Sequence, residues 1–187
     1  MTVRFRFKTT PIDGLVVAER LPISDQRGFL ERLFCAEEFS EIGLNTAITQ
    51  INRTLTQQSG TIRGLHFQYP PHAETKIVTC LKGKVFDVAV DLRSRSSTFL
   101  QWHGEVLSSE NNKSLYIPPG FAHGFQTLAD NCEMLYLHTC SYQPDAEGGV
   151  SPLDSRLGIS WPVPLSNISE RDRGHAPLTA EFKGLSL

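Results

Sequence analysis

Long apolar runs are missing from this sequence of 187 residues, although 40% of its residues are hydrophobic. No segment approaches the roughly 20 consecutive apolar residues that a membrane-spanning helix needs. The N-terminal octapeptide Met-Thr-Val-Arg-Phe-Arg-Phe-Lys alternates basic with apolar residues, so it lacks the continuous apolar segment of a signal peptide. We therefore expect a cytoplasmic protein that does not associate with a membrane.

An excess of charge of one sign is also missing, because the formal net charge is −2. A chain this close to neutrality has no overall electrostatic attraction to nucleic acid, so any anion site must be local. Charged residues make up 20% of the chain, which is typical of a soluble globular protein. The length predicts a single domain that spans residues 1–187.

Cysteine is scarce, and the four residues Cys35, Cys80, Cys132 and Cys140 form no CxxC pair. This spacing argues against a zinc ribbon or a dithiol redox motif. Three of them, Cys80, Cys132 and Cys140, lie in strand-like segments, where we expect small buried apolar side chains.

Short β-branched or aromatic segments separated by turn residues dominate the chain. They predict strands at 15–21, 46–51, 77–81, 85–92, 102–107, 114–117, 124–128 and 133–139. Lys82-Gly83-Lys84 has the composition of a tight hairpin between two of these strands. Such even spacing favours an all-β fold, an antiparallel sandwich or barrel of the jelly-roll type, with its strand-rich core at about 12–143.

Helical signals are few. Residues 36–42 form the one predicted helix of the first half, with Gly43 as its stop. The character changes after Leu165, and we expect a C-terminal helical segment at about 166–187. Ser166 or Ser169 is the candidate cap for a short helix within it.

A histidine between two cations marks the stretch 62–76, where Arg63, His66 and Lys76 accompany a strand-like alternation. In an extended chain, residues of equal parity share a face, so His66, Gln68 and Lys76 are expected to point the same way if the register survives Pro70-Pro71. A neutral imidazole beside permanent cations suits proton abstraction next to an anionic ligand that carries a carbonyl. The alternative is a polar strand end.

A second histidine, His123, follows a rigid turn in the sequence Ile-Pro-Pro-Gly-Phe-Ala-His-Gly-Phe at 117–125. This PxGxxH turn resembles the second motif of the cupin jelly rolls. Many cupins bind a metal through an HxH pair in their first motif, whereas the corresponding strand here offers only His66. His72 and Glu74 are candidate replacement ligands, but they follow the two prolines and are expected to lie in a loop.

Together the two clusters resemble the dTDP-4-dehydrorhamnose 3,5-epimerase family of metal-independent cupins over nearly the whole chain. The matching pieces are Arg27-Gly28-Phe29, Gln50 with Asn52, Arg63-Gly64-Leu65-His66-Phe67-Gln68, Lys76, the segment 86–93, Gly120-Phe121-Ala122-His123-Gly124-Phe125, Tyr136, the segment 158–162 and Ser169-Glu170-Arg171-Asp172.

The resemblance implies an isomerase that works by proton transfer next to a ketone, without a cofactor or metal. His66 would be the base and Asp172 would orient it, Lys76 would stabilise the enolate oxygen, and Tyr136 would be the acid. The implied substrate is a dTDP-linked 4-keto-6-deoxyhexose. Its binding residues would be Arg63, Gln50, Asn52, His123, Arg171 and Arg27, the last commonly across a homodimer interface.

Each of these residues also has an ordinary structural interpretation. Lys76 would then be a solvated strand cation, Tyr136 a core tyrosine, Asp172 a surface charge at a helix start, and His123 a residue that holds its own turn. The remaining histidines, His103, His138 and His175, match no family motif, and we expect them to be structural or exposed.

Two positions depart from the family pattern. Ser141 stands where an aromatic residue usually follows the tyrosine by five positions, with Tyr142 next, and Arg32 stands where many members have glutamate. Both positions lie toward the nucleotide, so they leave the identity of the base open.

The alternative functions are a 3-epimerase or ketoisomerase of another nucleotide sugar, a metal-dependent cupin oxygenase, and a sugar-binding cupin without catalysis. The alternation of Val3, Phe5 and Phe7 suggests a strand that needs a partner edge, which favours a homodimer.

Overall fold

Short alternating segments form the strands of the protein, which a computed structural model describes for residues 3–187. In chain order the strands are β1 (Phe5–Thr9), β2 (Val16–Arg20), β3 (Ile23–Asp25), β4 (Gly28–Leu30), β5 (Gln50–Thr56), β6 (Thr61–Gln68), β7 (Lys76–Lys82), β8 (Lys84–Asp91), β9 (Trp102–Ser108), β10 (Lys113–Ile117), β11 (Phe121–Thr127), β12 (Cys132–His138), β13 (Glu147–Gly149) and β14 (Asn167–Ile168). The helices are α1 (Ala36–Ser40), α2 (Glu170–Arg173) and a 3-10 turn at Pro144–Ala146. No helix within residues 3–187 has the length and apolar character that crossing a membrane requires.

Two large sheets carry the fold. The first has the strand order β1-β2-β10-β7-β12-β5, and the second has the order β13-β6-β11-β8-β9 with β14 parallel to β6. The strands within each of these two orders pair antiparallel, and β3 and β4 form a separate hairpin. This arrangement confirms the predicted all-β jelly-roll class.

The main core lies between the sheets, because the inward side chains of both sheets meet there. Val78 and Leu115 of the first sheet and Ala89 and Phe125 of the second belong to one buried apolar cluster. Cys80 and Cys132 belong to it too, as predicted for buried apolar cysteines, whereas Cys140 is only half-buried. The alternation of inward and outward side chains along each strand supplies the apolar layer.

The turn at Lys82-Gly83-Lys84 is not a hairpin, contrary to the prediction. β7 pairs with β10 and β12, whereas β8 pairs with β11 and β9. The turn therefore passes the chain from one sheet to the other. Turn composition indicates where a strand ends, but the choice of neighbour depends on residues far away in the sequence.

Other strands and helices begin or end at residues different from those predicted. The strand predicted at 46–51 is Gln50–Thr56, because pairing with β12 over the full length of that strand sets its position. The predicted helix 36–42 ends as an α-helix at Ser40 and continues as a turn. The C-terminal segment is less helical than expected, since α2 is its only helix within the described residues.

The N-terminal aromatic residues find partners inside the chain. The rings of Phe5 and Phe7 lie 5.0 and 5.2 Å from the ring of Phe39 in α1, centroid to centroid, in edge-on contact. Their alternation is therefore explained without a second copy, and the homodimer stays a prediction. Exposed apolar residues occur instead on the β3–β4 hairpin, where Phe29 and Leu30 are 72% and 64% exposed.

Candidate active site

A cavity of about 600 Å³ opens between the two sheets. β5, β7 and β12 line it from the first sheet, and β6 and β11 line it from the second. The segment that carries α2 closes one side through Ser169, Arg171 and Asp172. Most of its charged and imidazole side chains are those that the sequence singled out.

A partly buried hydrogen bond links two parts of this site that are far apart in the sequence. Nε2 of His66 in β6 lies 2.7 Å from Oδ1 of Asp172 in α2, and the N–H of Gly64 donates to Oδ2 at 3.0 Å. Ser169 caps α2 by accepting a hydrogen bond from the Asp172 N–H at 3.0 Å, which confirms Ser169 as the helix cap. Burial opposes ionisation of Asp172, but the hydrogen bonds from His66 and Gly64 outweigh it, so its pKa is lowered.

A bulge in β6 brings Arg63 and His66 to the same cavity despite their opposite parity. β11 pairs His123 with His66 and Phe125 with Arg63, so β6 uses one residue more than its partner over this interval. Gly64 lies at the bulge with φ +112°, where a Cβ would come within 2.7 Å of the Gly124 Cα. The bulge therefore requires glycine at position 64.

Lys76 reaches the cavity from the opposite sheet. The chain crosses between sheets after Pro70-Pro71, so Lys76 does not share a strand face with His66 as the parity argument supposed. Its ammonium nevertheless donates to the carbonyl oxygen of His66 at 3.2 Å and lies 3.4 Å from Oε1 of Glu74. Lys76 is buried, which excludes the solvated strand cation.

Glu74 extends this contact to a second imidazole. Its Oε2 lies 3.0 Å from Nδ1 of His138, and the His138 ring stacks on Tyr136 at 6.1 Å between centroids. Tyr136 lines the cavity, and burial raises the pKa of its phenol, so the hydroxyl is protonated at neutral pH. His138 was expected to be structural or exposed. It lines the cavity, because β12 directs Tyr136 and His138, two residues apart, to the same face.

His123 lies on the cavity wall in a second histidine–carboxylate pair. Its Nε2 is 3.0 Å from both carboxylate oxygens of Asp87, and both side chains are buried. The ring of Tyr136 meets the His123 ring edge-on at 6.2 Å. His123 therefore faces the cavity beside Tyr136 and does more than hold its turn together.

Cations and an aromatic ring lie at the cavity margin. Nε of Arg63 donates to Thr56 Oγ1 at 2.9 Å, and Arg171 pairs with Glu147 at 2.5 Å. The Tyr142 hydroxyl donates to the other oxygen of Glu147 at 2.7 Å. Tyr142 thus places an aromatic ring at the margin although Ser141 occupies the usual aromatic position. Asn52 also lines the cavity.

Two predicted binding residues do not line the cavity. Gln50 accepts a hydrogen bond from the Tyr142 N–H at 2.9 Å, so it positions the loop that carries Tyr142. Arg27 lies on the exposed β3–β4 hairpin, where its side chain is 89% exposed and paired with Asp25. Arg32 pairs with Glu38 of α1 at 2.7 Å and lies outside the cavity as well.

One group within residues 3–187 has the composition and spacing of a metal site. His66, Asp172 and His175 each offer one ligand atom, and these atoms lie within 4.8 Å of one another. His175 was expected to be structural or exposed, and no family motif marked it. Only its closeness in the sequence to Asp172 could have indicated that His175 lies beside this site.

Two facing antiparallel sheets around a histidine-lined cavity define a cupin-type jelly roll. The chain belongs to the dTDP-4-dehydrorhamnose 3,5-epimerase family, whose model matches residues 9–180. It is 40% identical over 177 residues to the dTDP-4-dehydrorhamnose 3,5-epimerase of Methanothermobacter thermautotrophicus, covering 93% of this chain and 95% of that protein.

Two further relatives bear on the substrate. The dTDP-6-deoxy-D-glucose-3,5-epimerase of Legionella pneumophila, solved in complex with dTDP-4-keto-L-rhamnose, superposes with a TM-score of 0.90 at 37% identity and covers 97% of each chain. The dTDP-4-dehydrorhamnose 3-epimerase of Streptomyces niveus is 37% identical over 183 residues, covering 97% of this chain and 87% of that protein.

The lowered pKa of Asp172 predicts a measurable acid dependence of stability. Because the folded-state pKa lies below the ordinary value of about 4, the stabilisation is complete above that value and is lost as pH falls through the folded-state pKa. Asp172→Asn should lower the free energy of unfolding near neutral pH by about 1 to 3 kcal/mol and flatten its decline in acid. Urea unfolding from pH 7 to pH 3 measures both effects.

The control for this measurement is Asp145→Asn, which changes an exposed carboxylate. It should leave the curve near that of the unaltered protein. An acid decline in Asp172→Asn as steep as in the unaltered protein would contradict the assigned ionisation.

Proposed function

We propose that this chain is a cofactor-independent epimerase that converts dTDP-4-dehydro-6-deoxy-D-glucose to dTDP-4-dehydro-L-rhamnose. The observation that carries the proposal is the convergence of His66, Asp172, Lys76 and Tyr136 on one cavity between the sheets. Family membership and the names of the relatives support the same substrate class. The reaction needs a base, a group that stabilises an enolate, and an acid.

His66 is the base of this mechanism. Its Nε2 faces Asp172, so Nδ1 is the nitrogen that accepts a proton from the carbon beside the ketone. The ionised Asp172 holds the ring proton on Nε2 and stabilises the imidazolium that forms. The Gly64 N–H fixes the carboxylate in turn, so the ring orientation is set before substrate binds.

Lys76 stabilises the enolate. The contact of its ammonium with the His66 carbonyl keeps the charge beside the base, where the ketone oxygen of a bound sugar gains negative charge. Burial strengthens this interaction because water screens it less. Glu74 holds the ammonium from the other side at 3.4 Å, so Glu74 is a positioning residue in this account.

Tyr136 is the acid. It projects from the first sheet and His66 from the second, so a sugar between the sheets meets them on opposite faces, as inversion requires. Burial raises the pKa of the phenol and keeps its proton in place, while the positive charge of Arg63 acts in the opposite direction. Wild-type product formation by Tyr136→Phe would refute this role.

The cavity margin binds the diphosphate and the base of the nucleotide sugar. Arg63 and Arg171 supply guanidinium groups for the phosphate oxygens, and Tyr142 supplies a flat ring for the base. Asn52 and His123 face the sugar. Gln50 acts indirectly, through the Tyr142 backbone.

Arg27 requires a second copy of the chain to take part. It lies outside this cavity, on a hairpin that exposes Phe29 and Leu30. Burying these apolar side chains against another copy would carry Arg27 toward that copy's site, so we assign a homodimer. A monomer in sedimentation analysis would refute this assembly. We infer that the enzyme acts in the cytoplasm, and recovery of the protein in an exported fraction would contradict that location.

A 3-epimerase is the second candidate, and the Streptomyces niveus relative is the observation that favours it. The family model and the Methanothermobacter thermautotrophicus relative favour the double epimerase. Tyr136 does not separate the two candidates, because inversion at C3 alone also needs an acid. Exchange of solvent deuterium at both C3 and C5 supports the double epimerase, whereas exchange at C3 alone supports the 3-epimerase.

His66→Ala should abolish most of the exchange. Purified protein is incubated with dTDP-4-dehydro-6-deoxy-D-glucose in D2O, and deuterium at C3 and C5 is followed by mass spectrometry and NMR. Loss of the base should slow exchange by about 10² to 10⁴-fold, the usual contribution of general base catalysis.

His72→Ala is the matched control, because it removes an imidazole from the loop between β6 and β7 without touching the cavity. It should exchange at the wild-type rate. Equal exchange by His66→Ala and the unaltered protein would overturn the mechanism, and binding without any exchange would indicate a non-catalytic cupin.

A further inference from the structure

His175 is an imidazole beside His66 that the proposed mechanism does not use. Its ring meets the ring of His66 edge-on, with 6.1 Å between centroids. One ligand atom from each of His66, Asp172 and His175 lies within 4.8 Å of the other two. Two imidazoles and a carboxylate are a ligand set that suits Zn²⁺ and the neighbouring divalent transition metals.

The Asp172 carboxylate is already oriented for such a role. Its Oδ2 is held by the Gly64 N–H at 3.0 Å, and Oδ1 points to His66. Backbone donors that fix a ligating carboxylate in this way are a common outer layer of metal sites. The hydrogen bond from the Gly64 N–H to Oδ2 therefore orients the carboxylate whether or not a metal ion is bound.

Glycine at position 149 makes room for His175. A Cβ there would come within 2.1 Å of Nε2 of His175, so the ring lies directly on the β13 backbone. Gly149 pairs with His66 across β13 and β6. The bare backbone therefore brings the second imidazole to the level of the first.

The Nε2 atom of His175 is buried and has no hydrogen-bond partner within residues 3–187. A buried polar atom without a partner costs free energy, which a bound ion or water recovers.

The surrounding charges permit a cation. Lys76 lies 3.4 Å from Glu74, and Arg171 lies 2.5 Å from Glu147, so each of these cations has a carboxylate partner. Bonds of about 2.1 Å in a tetrahedral site place ligand atoms about 3.4 Å apart. A pair at the 4.8 Å limit of the cluster must therefore close by about 1.4 Å, whereas Nε2 of His66 and Oδ1 of Asp172, now 2.7 Å apart, must separate by about 0.7 Å.

We propose that His66, Asp172 and His175 form a site for a divalent transition metal ion such as Zn²⁺, and that its occupation inhibits the enzyme. The inhibitory part rests on the proposed role of His66 as the base. A metal bonded to Nε2 takes the lone pair of that nitrogen, so the single proton of the neutral ring leaves Nε2 and, by exchange with solvent, is carried on Nδ1 instead. The ring stays neutral, and with Nδ1 protonated and Nε2 bound to the metal no lone pair is free to accept a proton from substrate.

Cobalt binding tests the site without using activity. Co²⁺ is titrated into the metal-free protein while its visible absorption and its stoichiometry are recorded. The unaltered protein and His72→Ala should bind one equivalent with the spectrum of a low-coordinate ion. His175→Ala and His175→Gln should each bind more than about tenfold more weakly, since loss of outer partners alone costs that much. Equal binding by the His175 variants, or no binding by the unaltered protein, would overturn the site.

Zinc inhibition tests the consequence. Solvent deuterium exchange is measured against Zn²⁺ concentration and again after chelation with EDTA. Exchange should fall in step with occupancy and recover with EDTA, while His175→Ala should keep its exchange at the same Zn²⁺ concentrations. Zn²⁺ that fills the site without slowing exchange would overturn the inhibition. If the metal-free protein exchanges no deuterium at all, the proposed function and the inhibition that rests on it fail, while the cobalt titration still decides the metal site.

Discussion

The site depends on the hydrogen bond between Nε2 of His66 and Oδ1 of Asp172. It joins residues 106 positions apart in the chain, one in the second sheet and one in the short helix α2. The carboxylate is ionised because the imidazole and the Gly64 N–H compensate for its burial. This contact sets the orientation of the His66 ring. It therefore also sets the side from which the base approaches a substrate and leaves Nδ1 available.

Paired charges fill the rest of the cavity. Lys76 lies between the His66 carbonyl and Glu74, and His123 lies against Asp87. A cavity lined in this way is polar and yet has few uncompensated charges, which limits the cost of burying them. It leaves Arg63 as a cation without a carboxylate partner among the ion pairs of residues 3–187, which suits a substrate that brings its own negative charge.

Much of the fold could be predicted from the residues, and the reasons differ from element to element. Their β-branched and aromatic residues, bounded by turn residues, predicted the strands 102–107 and 114–117 to within one residue at each end. The partners of those strands could not be predicted in the same way. The Lys82-Gly83-Lys84 turn illustrates this, since it separates strands of different sheets.

In the candidate site too, some residues could be predicted from the sequence and others could not. Motif order and spacing identified His66, Lys76, Tyr136 and Asp172, all of which the fold brings to one cavity. His138 and His175 escaped notice because no local pattern marks them. Their positions follow from a strand face and from the end of a helix only after the surrounding structure is known. Gln50 and Arg27 matched the family pattern, yet Gln50 acts through a loop and Arg27 lies on an exposed hairpin.

The tautomer of His66 is the property that tests the account most directly. Long-range ¹H–¹⁵N correlation spectra of ¹⁵N-labelled protein distinguish a ring nitrogen that carries a proton from one that does not. For the neutral ring we predict a protonated Nε2 facing Asp172 and an unprotonated Nδ1, with this pattern lost in Asp172→Asn. A neutral His66 ring with its proton on Nδ1 would contradict it, because that ring could not take a proton from the substrate.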